Sequence, residues 1–248
     1  MTASLHTAVS RAEQVRLLAA VLERVEGARG ACASAVVFDL DGTLVDNRPR
    51  TCAIMRELAE RWQAERPDAA SALGALCPDQ LDYLLEDVLA RLALADAWVT
   101  EALEFWRGRF FFDHHLRHDR ALAGALEFAR ACHAAGATIV YFSGRDLPNM
   151  ALGTLASLRD LGFPIGVPGT ELVLKPHFET SDSEFKRQVT PQLRRCGVLV
   201  AAFDNEPGNC NIFKEAFPSC DVFLLDTQHH PSAPPLARDI NVISDFVL

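Results

Sequence analysis

Two aspartates separated by one leucine follow the apolar run AVVF in the segment AVVFDLDGTLVDN, residues 35–47. Carboxylates held that close cost free energy unless positive charge offsets them. Residues two apart in extended backbone face the same side, so Asp39 and Asp41 can address one ligand if the chain stays extended through Leu40. Two other apolar runs also end in polar residues: ATIVYF in Ser143-Gly144-Arg145, and GVLVAAF in Asp204-Asn205-Glu206. A divalent cation between Asp39 and Asp204 would relieve the repulsion, and hard oxygen donors with room for water and a phosphate oxygen suit magnesium. Asp39, Asp41, Asp204 and Asn205 are the candidate ligands, Asn205 as a neutral donor or through a bound water. Acidic tips lying well apart, or a lysine or arginine filling the cation's place, would argue against such a centre.

The elements that must position these groups follow from periodicity. Val9 to Val25 has helical spacing. AVVFDL is a continuous apolar run, as in a parallel strand buried on both faces. From Thr51 to Arg109 the strong signals are helical: Ile54, Leu58 and Trp62, then Leu81, Leu85, Val88 and Leu92, then Val99, Leu103 and Trp106. RPDAASALG and CPDQ break that block into separate helices. From Arg120 strands and helices alternate: a helix stopped by Gly136, the strand ATIVYFS, a helix Pro148 to Leu161, a short strand ELVL, a helix Ser181 to Arg195, the strand GVLVAAFD, a helix Pro207 to Phe217, and a strand DVFLLD. The order predicts an α/β fold, a Rossmann-like parallel sheet with helices on both faces and an inserted α-helical cap. The division expected is an N-terminal helical extension over 1–34, a core over 35–49 and 117–248, and a cap over 50–116, with hinges near Arg48-Pro49 and Leu116-Asp119. In such sheets reactive groups collect beyond the carboxyl ends of the strands, where the three polar strand ends converge.

On these residues the chain resembles the haloacid dehalogenase-like (HAD) phosphohydrolases. DLDGTLVD matches their first motif, DxDGTxxD, at every fixed position, and a strand-ending Ser143, a lysine and the acidic strand end at Asp204 follow in the family's order. The resemblance implies a magnesium-dependent phosphomonoester hydrolase in which Asp39 forms an aspartyl phosphate while Asp41 protonates the leaving oxygen and later activates water. Residue chemistry agrees: a nucleophilic carboxylate must stay ionised, which metal contact favours, and the second must hold a proton part of the time, which distance from the metal permits. Thr43 and Gly42 shape the turn and Asp46 anchors it. Thr43, Ser143, the Gly144 amide and Arg145 are the candidate phosphate and substrate contacts, since fixed donors supply much of phosphoryl-transfer catalysis. The lysine is Lys186, in SDSEFK, or Lys175, in ELVLKP, with Lys186 ranked first. The pattern SDxxFK, helix, strand, FDN is similar to polynucleotide 3′-phosphatase-type domains. The last motif departs from the family: where a second acid is expected stand Asn205, Gly208 and Asn209, with Glu206 the nearby replacement.

Composition sets the outer limits. With 248 residues, 49% apolar, the chain can bury a large core, and disorder is excluded. A net charge of −9 disfavours nucleic acid and anionic membrane, leaving a small phosphorylated substrate as the expected partner. Seven cysteines without a CxxC pair predict buried free thiols in a reducing cytosol, and hence a cytoplasmic protein. LLAAVL followed by ACASA mimics a secretion signal, but flanking Arg16, Glu23 and Arg24 fit an amphipathic helix better. FWRGRFFFDHHLRH could offer aromatics and arginines to a nucleic acid; core phenylalanines and loop histidines are the alternative. His229-His230 reads as polar loop, and Trp62, Trp98 and Trp106 as core. Three other functions stay open: a nucleotide or polynucleotide-end phosphatase, a phosphotransferase or mutase on the same site, and a non-catalytic phospho-ligand-binding module.

Overall fold

The computed structural model describes residues 7–30 and 32–248. In chain order the elements are α1 (Arg11–Ala28), β1 (Ser34–Phe38), β2 (Val45–Asp46), α2 (Arg48–Trp62), α3 (Pro67–Gly74), α4 (Leu85–Ala90), α5 (Asp96–Phe110), β3 (Arg120–Ala121), α6 (Ala125–Ala135), β4 (Thr138–Asp146), α7 (Leu147–Leu161), β5 (Thr170–Lys175), α8 (Asp182–Val189), β6 (Val198–Asp204), α9 (Pro207–Ala216), β7 (Asp221–Leu225) and β8 (Asn241–Ile243). Six strands form one sheet in the order β5-β4-β1-β6-β7-β8, every neighbouring pair parallel. The fold is α/β and Rossmann-like.

Strand period explains why the sheet is covered twice. Successive side chains of a strand point to opposite faces. Val36 and Phe38 of β1 enter one core with Ile139 and Tyr141 of β4, whereas Ala35 and Val37 enter the other with Val140 and Phe142. Leu18, Val21 and Val25 of α1 and Phe128 and Cys132 of α6 cover the first face; Phe185 of α8 and Cys210 and Phe213 of α9 cover the second. Phe203 lies stacked between Phe38, at 5.1 Å, and Phe223, at 4.7 Å, so three adjacent strands share one aromatic column. Each such fully buried ring contributes about 1.5–3 kcal/mol. The central strands are thereby held in register, and their acidic ends with them.

Local chemistry sets the helix ends. Ser10, Asp146 and Ser181 cap α1, α7 and α8 by accepting from the amides of Glu13, Asn149 and Glu184. The helices between β2 and β3 have their own core, built on Ile54, Met55, Leu58 and Trp62 of α2, Leu73 of α3 and Leu89 of α4. The chain leaves the sheet and returns to it through the antiparallel pairing of β2 with β3, Val45 opposite Ala121 and Asp46 opposite Arg120.

Several elements differ from the sequence expectation. RPDAASALG is a helix, α3, because Pro67 occupies its first position, where no amide is missed. The helix expected from Leu81 onward forms only as α4; Pro78 starts a short 3-10 turn and Leu81 is already extended. The helix expected to Arg195 ends at Val189 and continues as a 3-10 turn, Thr190–Cys196, with Pro191 at its start. All seven cysteines are free thiols, but Cys32 and Cys77 are exposed and Cys196 half-buried, so the expectation of uniformly buried thiols needs correction. The LLAAVL segment lies inside α1, while Ala31 of ACASA and residues 1–6 lie outside the described residues. Among the described residues no helix is long and apolar enough to cross a membrane.

Candidate active site

β1 ends at Phe38, and the Asp39 amide still donates to Phe203 O of β6 at 2.9 Å, carrying the nucleophile candidate onto the carboxyl edge of the sheet. The chain then turns tightly: Thr43, Leu44 and Val45 all donate to Leu40 O, and the Gly42 amide donates to Val45 O. Gly42 has φ of +79°, and a Cβ there would meet Asn205 Nδ2 at 2.5 Å, so both conformation and space demand glycine. Thr43 is fully buried beneath this turn, its hydroxyl donating to Asn205 Oδ1 at 3.1 Å. Asn205 Nδ2 in turn donates to Gln228 O at 2.6 Å.

The acidic strand ends do meet. The ammonium between them belongs to Lys186, which donates to Asp39 Oδ1 at 2.7 Å and to Asp204 Oδ2 at 2.5 Å. Asp204 Oδ1 accepts from the Glu206 amide at 2.9 Å and from Asn209 Nδ2 at 3.1 Å. The chain itself thus fills the place reserved for a metal between those two oxygens, and a cation bridging the same pair is not what compensates them. The compensation is partial. Asp39, Asp204 and Glu206 present three carboxylates to one ammonium. Burial raises the Asp39 pKa well above the carboxylate range, with Asp204 adding to the rise against the pull of Lys186. Burial and the Asp204 charge push Glu206 up to about 7. Lys186 is held above the usual lysine range because its two carboxylates outweigh its burial. Among the described residues no three acidic, histidine or cysteine side chains are gathered as a ready-made metal cage. Magnesium does not need one: it commonly uses one or two carboxylates and keeps its waters. The expectation of a cation held between those two oxygens is thereby corrected, because Lys186 occupies that place; the oxygen donors and the negative charge that one ammonium leaves over fit a divalent cation beside Lys186, on Asp39 and Asp204.

Asp41 is differently placed. Arg145 grips it through Nε at 2.7 Å and Nη2 at 2.9 Å, Arg50 reaches it at 2.6 Å, and Asn47 donates at 3.2 Å. Burial would raise its pKa, but the two guanidiniums win and hold it well below the carboxylate range. Asp41 is therefore ionised here, against the expectation of a carboxyl that holds a proton part of the time. Both arginines also bind Asp119, which is fully buried, Arg50 at 2.8 and 2.6 Å and Arg145 at 2.7 Å. Arg50 lies over the Phe110 ring at 4.4 Å. Two arginines and two aspartates thus form a charge-balanced square, buried except at Asp41, which opens onto the cavity.

Of the other candidates, Ser143, Gly144 and Arg145 line the same cavity as Asp39, Asp41, Lys186, Asp204 and Asn205. Ser143 Oγ accepts from the Arg145 amide at 3.2 Å. A Cβ on Gly144 would strike the Asp182 carboxylate. Lys175 lies outside the cavity, donating to Thr180 O and to Asp182 Oδ1, both at 2.8 Å. Thr43 is not on the cavity wall, which corrects its place among the substrate contacts, whereas Asp41 and Asn205 are on the wall with the bonds given above. Asp46 accepts from the Arg48 amide and side chain at the start of α2, as the turn anchor should. In the aromatic segment Phe110 and Phe111 are half-buried and Phe112 exposed, and His115 is buried against Glu57 at 2.8 Å.

Sequence reasoning missed Arg50, Asp119, Tyr83 and Gln228. Arg50 had a signal: it sits four residues before Ile54 and eight before Leu58, on the apolar stripe of α2. Tyr83 and Leu81 bring the extended stretch before α4 to the strand ends, where Tyr83 shares the cavity wall with Glu206 and Gln228 Nε2 donates to Leu81 O at 2.5 Å. Nothing in the periodicity marks these positions.

An α/β sheet with a carboxylate pair, a bridging lysine and a cavity at its carboxyl edge defines a class of hydrolases. Residues 33–177 match the family model of the haloacid dehalogenase-like hydrolases, more than half of the chain, and the protein belongs to that family. A putative phosphatase from Clostridium difficile superposes with a TM-score of 0.55 and 13% identity over 86% of this chain and 94% of that one. Mycobacterium tuberculosis Protein Tyrosine Kinase A (PtkA) gives 0.54 and 16% over 87% and 95%. At such identities these likenesses concern the fold. No curated protein matches the chain.

Proposed function

We propose that the protein is a magnesium-dependent phosphatase that hydrolyses a phosphomonoester through an aspartyl phosphate on Asp39. The observation that carries this reading is the contact of Lys186 with both Asp39 and Asp204 on the floor of a cavity lined also by Ser143 and Gly144. Asp39 forms the new bond to phosphorus as the ester P–O bond breaks. Water then attacks the phosphorus, releasing inorganic phosphate and restoring the carboxylate. Lys186 binds phosphoryl oxygens while keeping Asp39 oriented, and Ser143 and the Gly144 amide are the neutral donors. A divalent cation on Asp39 and Asp204 would supply the charge that holds Asp39 ionised and binds the phosphoryl group.

Asp41 gives a proton to the departing alkoxide and later takes one from water. In the clamped state it cannot hold that proton. An incoming phosphate dianion offers Arg145 a competing partner, and a loosened clamp returns Asp41 toward an ordinary carboxyl. The helices between β2 and β3 act as a cap over a core of residues 35–49 and 117–248, with Tyr83 and Leu81 closing onto the strand ends and keeping bulk water from the aspartyl phosphate. A cavity so covered favours a small ester over a polynucleotide end.

The test is a screen of phosphorylated metabolites with and without magnesium, using the wild type and Asp39→Asn. At least one monoester should be hydrolysed in the presence of magnesium, and the substituted protein should lose nearly all of that activity because an amide cannot act as the nucleophile. Equal turnover by both proteins would overturn the assignment of Asp39.

A further inference from the structure

The cavity holds about 370 Å³, room for a phosphoryl group and a small leaving group. Every cationic side chain on its wall is already bound to carboxylates of the chain. Arg48 is held by Asp46, Arg50 and Arg145 by Asp41 and Asp119, and Lys186 by Asp39 and Asp204. Seven carboxylates line the cavity; Asp82 and Asp182 are met by Arg91 and Lys175 from off the wall, while Asp39, Asp204 and Glu206 share the one ammonium of Lys186. Among the lining acids Glu86, in the first turn of α4, is exposed and has no ion-pair partner among the described residues. The remaining lining is largely apolar and aromatic: the rings of Trp106, Phe110 and Phe111 lie 4.5–5.7 Å apart, centroid to centroid, at the end of α5.

A bound phosphate dianion has Lys186, the competing guanidiniums and a divalent cation to meet it. A second anion on the leaving group has no free cation left, and would enter a wall that is net negative. Like charges so placed cost binding free energy, whereas an ammonium gains from the carboxylates and from the Trp106 and Phe111 rings, that of Phe110 being already covered by Arg50.

Building on the phosphatase reading, we propose that the natural substrate is the phosphate monoester of an amino or quaternary-ammonium alcohol, and that esters carrying a second phosphate or a carboxylate are rejected. Glu86 is the specificity residue, facing the cationic end while the aromatic side chains line the apolar part of the leaving-group pocket.

The experiment compares three esters of similar size: phosphocholine, propyl phosphate and phosphoglycolate. With magnesium, the wild type should show kcat/KM for phosphocholine at least tenfold above that for phosphoglycolate, with propyl phosphate between them. Glu86→Lys should shrink that ratio at least fivefold. Equal or better use of phosphoglycolate, or a ratio unmoved by Glu86→Lys, would overturn the proposal while leaving the phosphatase reading intact. Calorimetric binding of the same three compounds to Asp39→Asn separates the two failures. If the wild type hydrolyses none of the three nor any ester of the wider screen, the phosphatase reading falls, yet tighter binding of phosphocholine would still support the pocket assignment. Tighter binding of phosphoglycolate, or no binding of any, would overturn it.

Discussion

At the scale of single residues the molecule shows two ways of managing crowded carboxylates. Lys186 alone faces Asp39, Asp204 and Glu206 and leaves negative charge over, whereas Arg50 and Arg145 balance Asp41 and Asp119 within hydrogen-bond distance. The first arrangement leaves a use for an external cation. The second is complete without one. Asp119 has no exposed side-chain surface, so Asp119→Asn leaves two guanidiniums buried with a single carboxylate between them. Loss of one partner from a buried ion pair costs about 3–5 kcal/mol, and the urea midpoint should fall accordingly with an unchanged slope. A midpoint at the wild-type value would mean that the square contributes nothing to stability. Asp41 adds a dependence on pH. Its pKa is depressed in the folded protein, so its share of stability is present in full above the ordinary carboxylate value of about 4 and is lost as pH falls from there toward the depressed one. The stability gap between wild type and Asp41→Asn, measured by denaturant titration, should therefore be constant from neutral pH down to about 5 and close below about 4. A gap that widens on acidification would contradict the clamp.

Elements place these residues, and what was readable in the sequence follows the strength of each element's pattern. β1, β4, β6 and β7 are continuous apolar runs, so the sheet and the carboxyl edge that carries Asp39, Ser143 and Asp204 were legible. β2, β3 and β8 are two or three residues long, too short for any period to show, and only tertiary pairing makes them strands. The turn from Asp41 to Val45 was legible because DxDGT demands a glycine at a left-handed position. That demand has two parts, and they can be separated. Gly30 and Gly42 have nearly the same φ, +82° and +79°, but nothing lies near a Cβ at Gly30 whereas Asn205 lies against one at Gly42. Gly30→Ala should cost about 1 kcal/mol of backbone strain. Gly42→Ala should cost clearly more and also reduce kcat, because displacing Asn205 frees the Thr43 hydroxyl and unsettles the turn that holds Asp41. Equal losses in the two variants would show that Asn205 yields without consequence. Asp119 was invisible for a further reason: its partners come from α2 and the end of β4, 69 and 26 residues away, and no local pattern records such a meeting.

For the whole molecule, the negative excess at the strand ends would make the proposed cation a stability device as well as part of the proposed chemistry. Any ligand that binds the folded state alone stabilises it by RT ln(1 + [L]/Kd), about 2.7 kcal/mol at a hundredfold excess over Kd. For a chain of 248 residues each kcal/mol moves the melting temperature by about 2–4 °C. Saturating magnesium should thus raise the melting temperature of the wild type by about 5–10 °C. The rise should vanish in Asp204→Asn, which removes a proposed ligand while Lys186 still has Asp39 to bind. It should persist in Asp41→Asn, because Asp41 faces the guanidiniums and not the excess charge. Lys186→Met supplies the opposite case: without the ammonium, Asp39 and Asp204 repel more strongly, so the apo variant should melt lower and gain more from magnesium than the wild type does. An equal rise in all four proteins would mean that magnesium binds elsewhere, and no rise in any would mean that Lys186 supplies all the compensation these carboxylates receive.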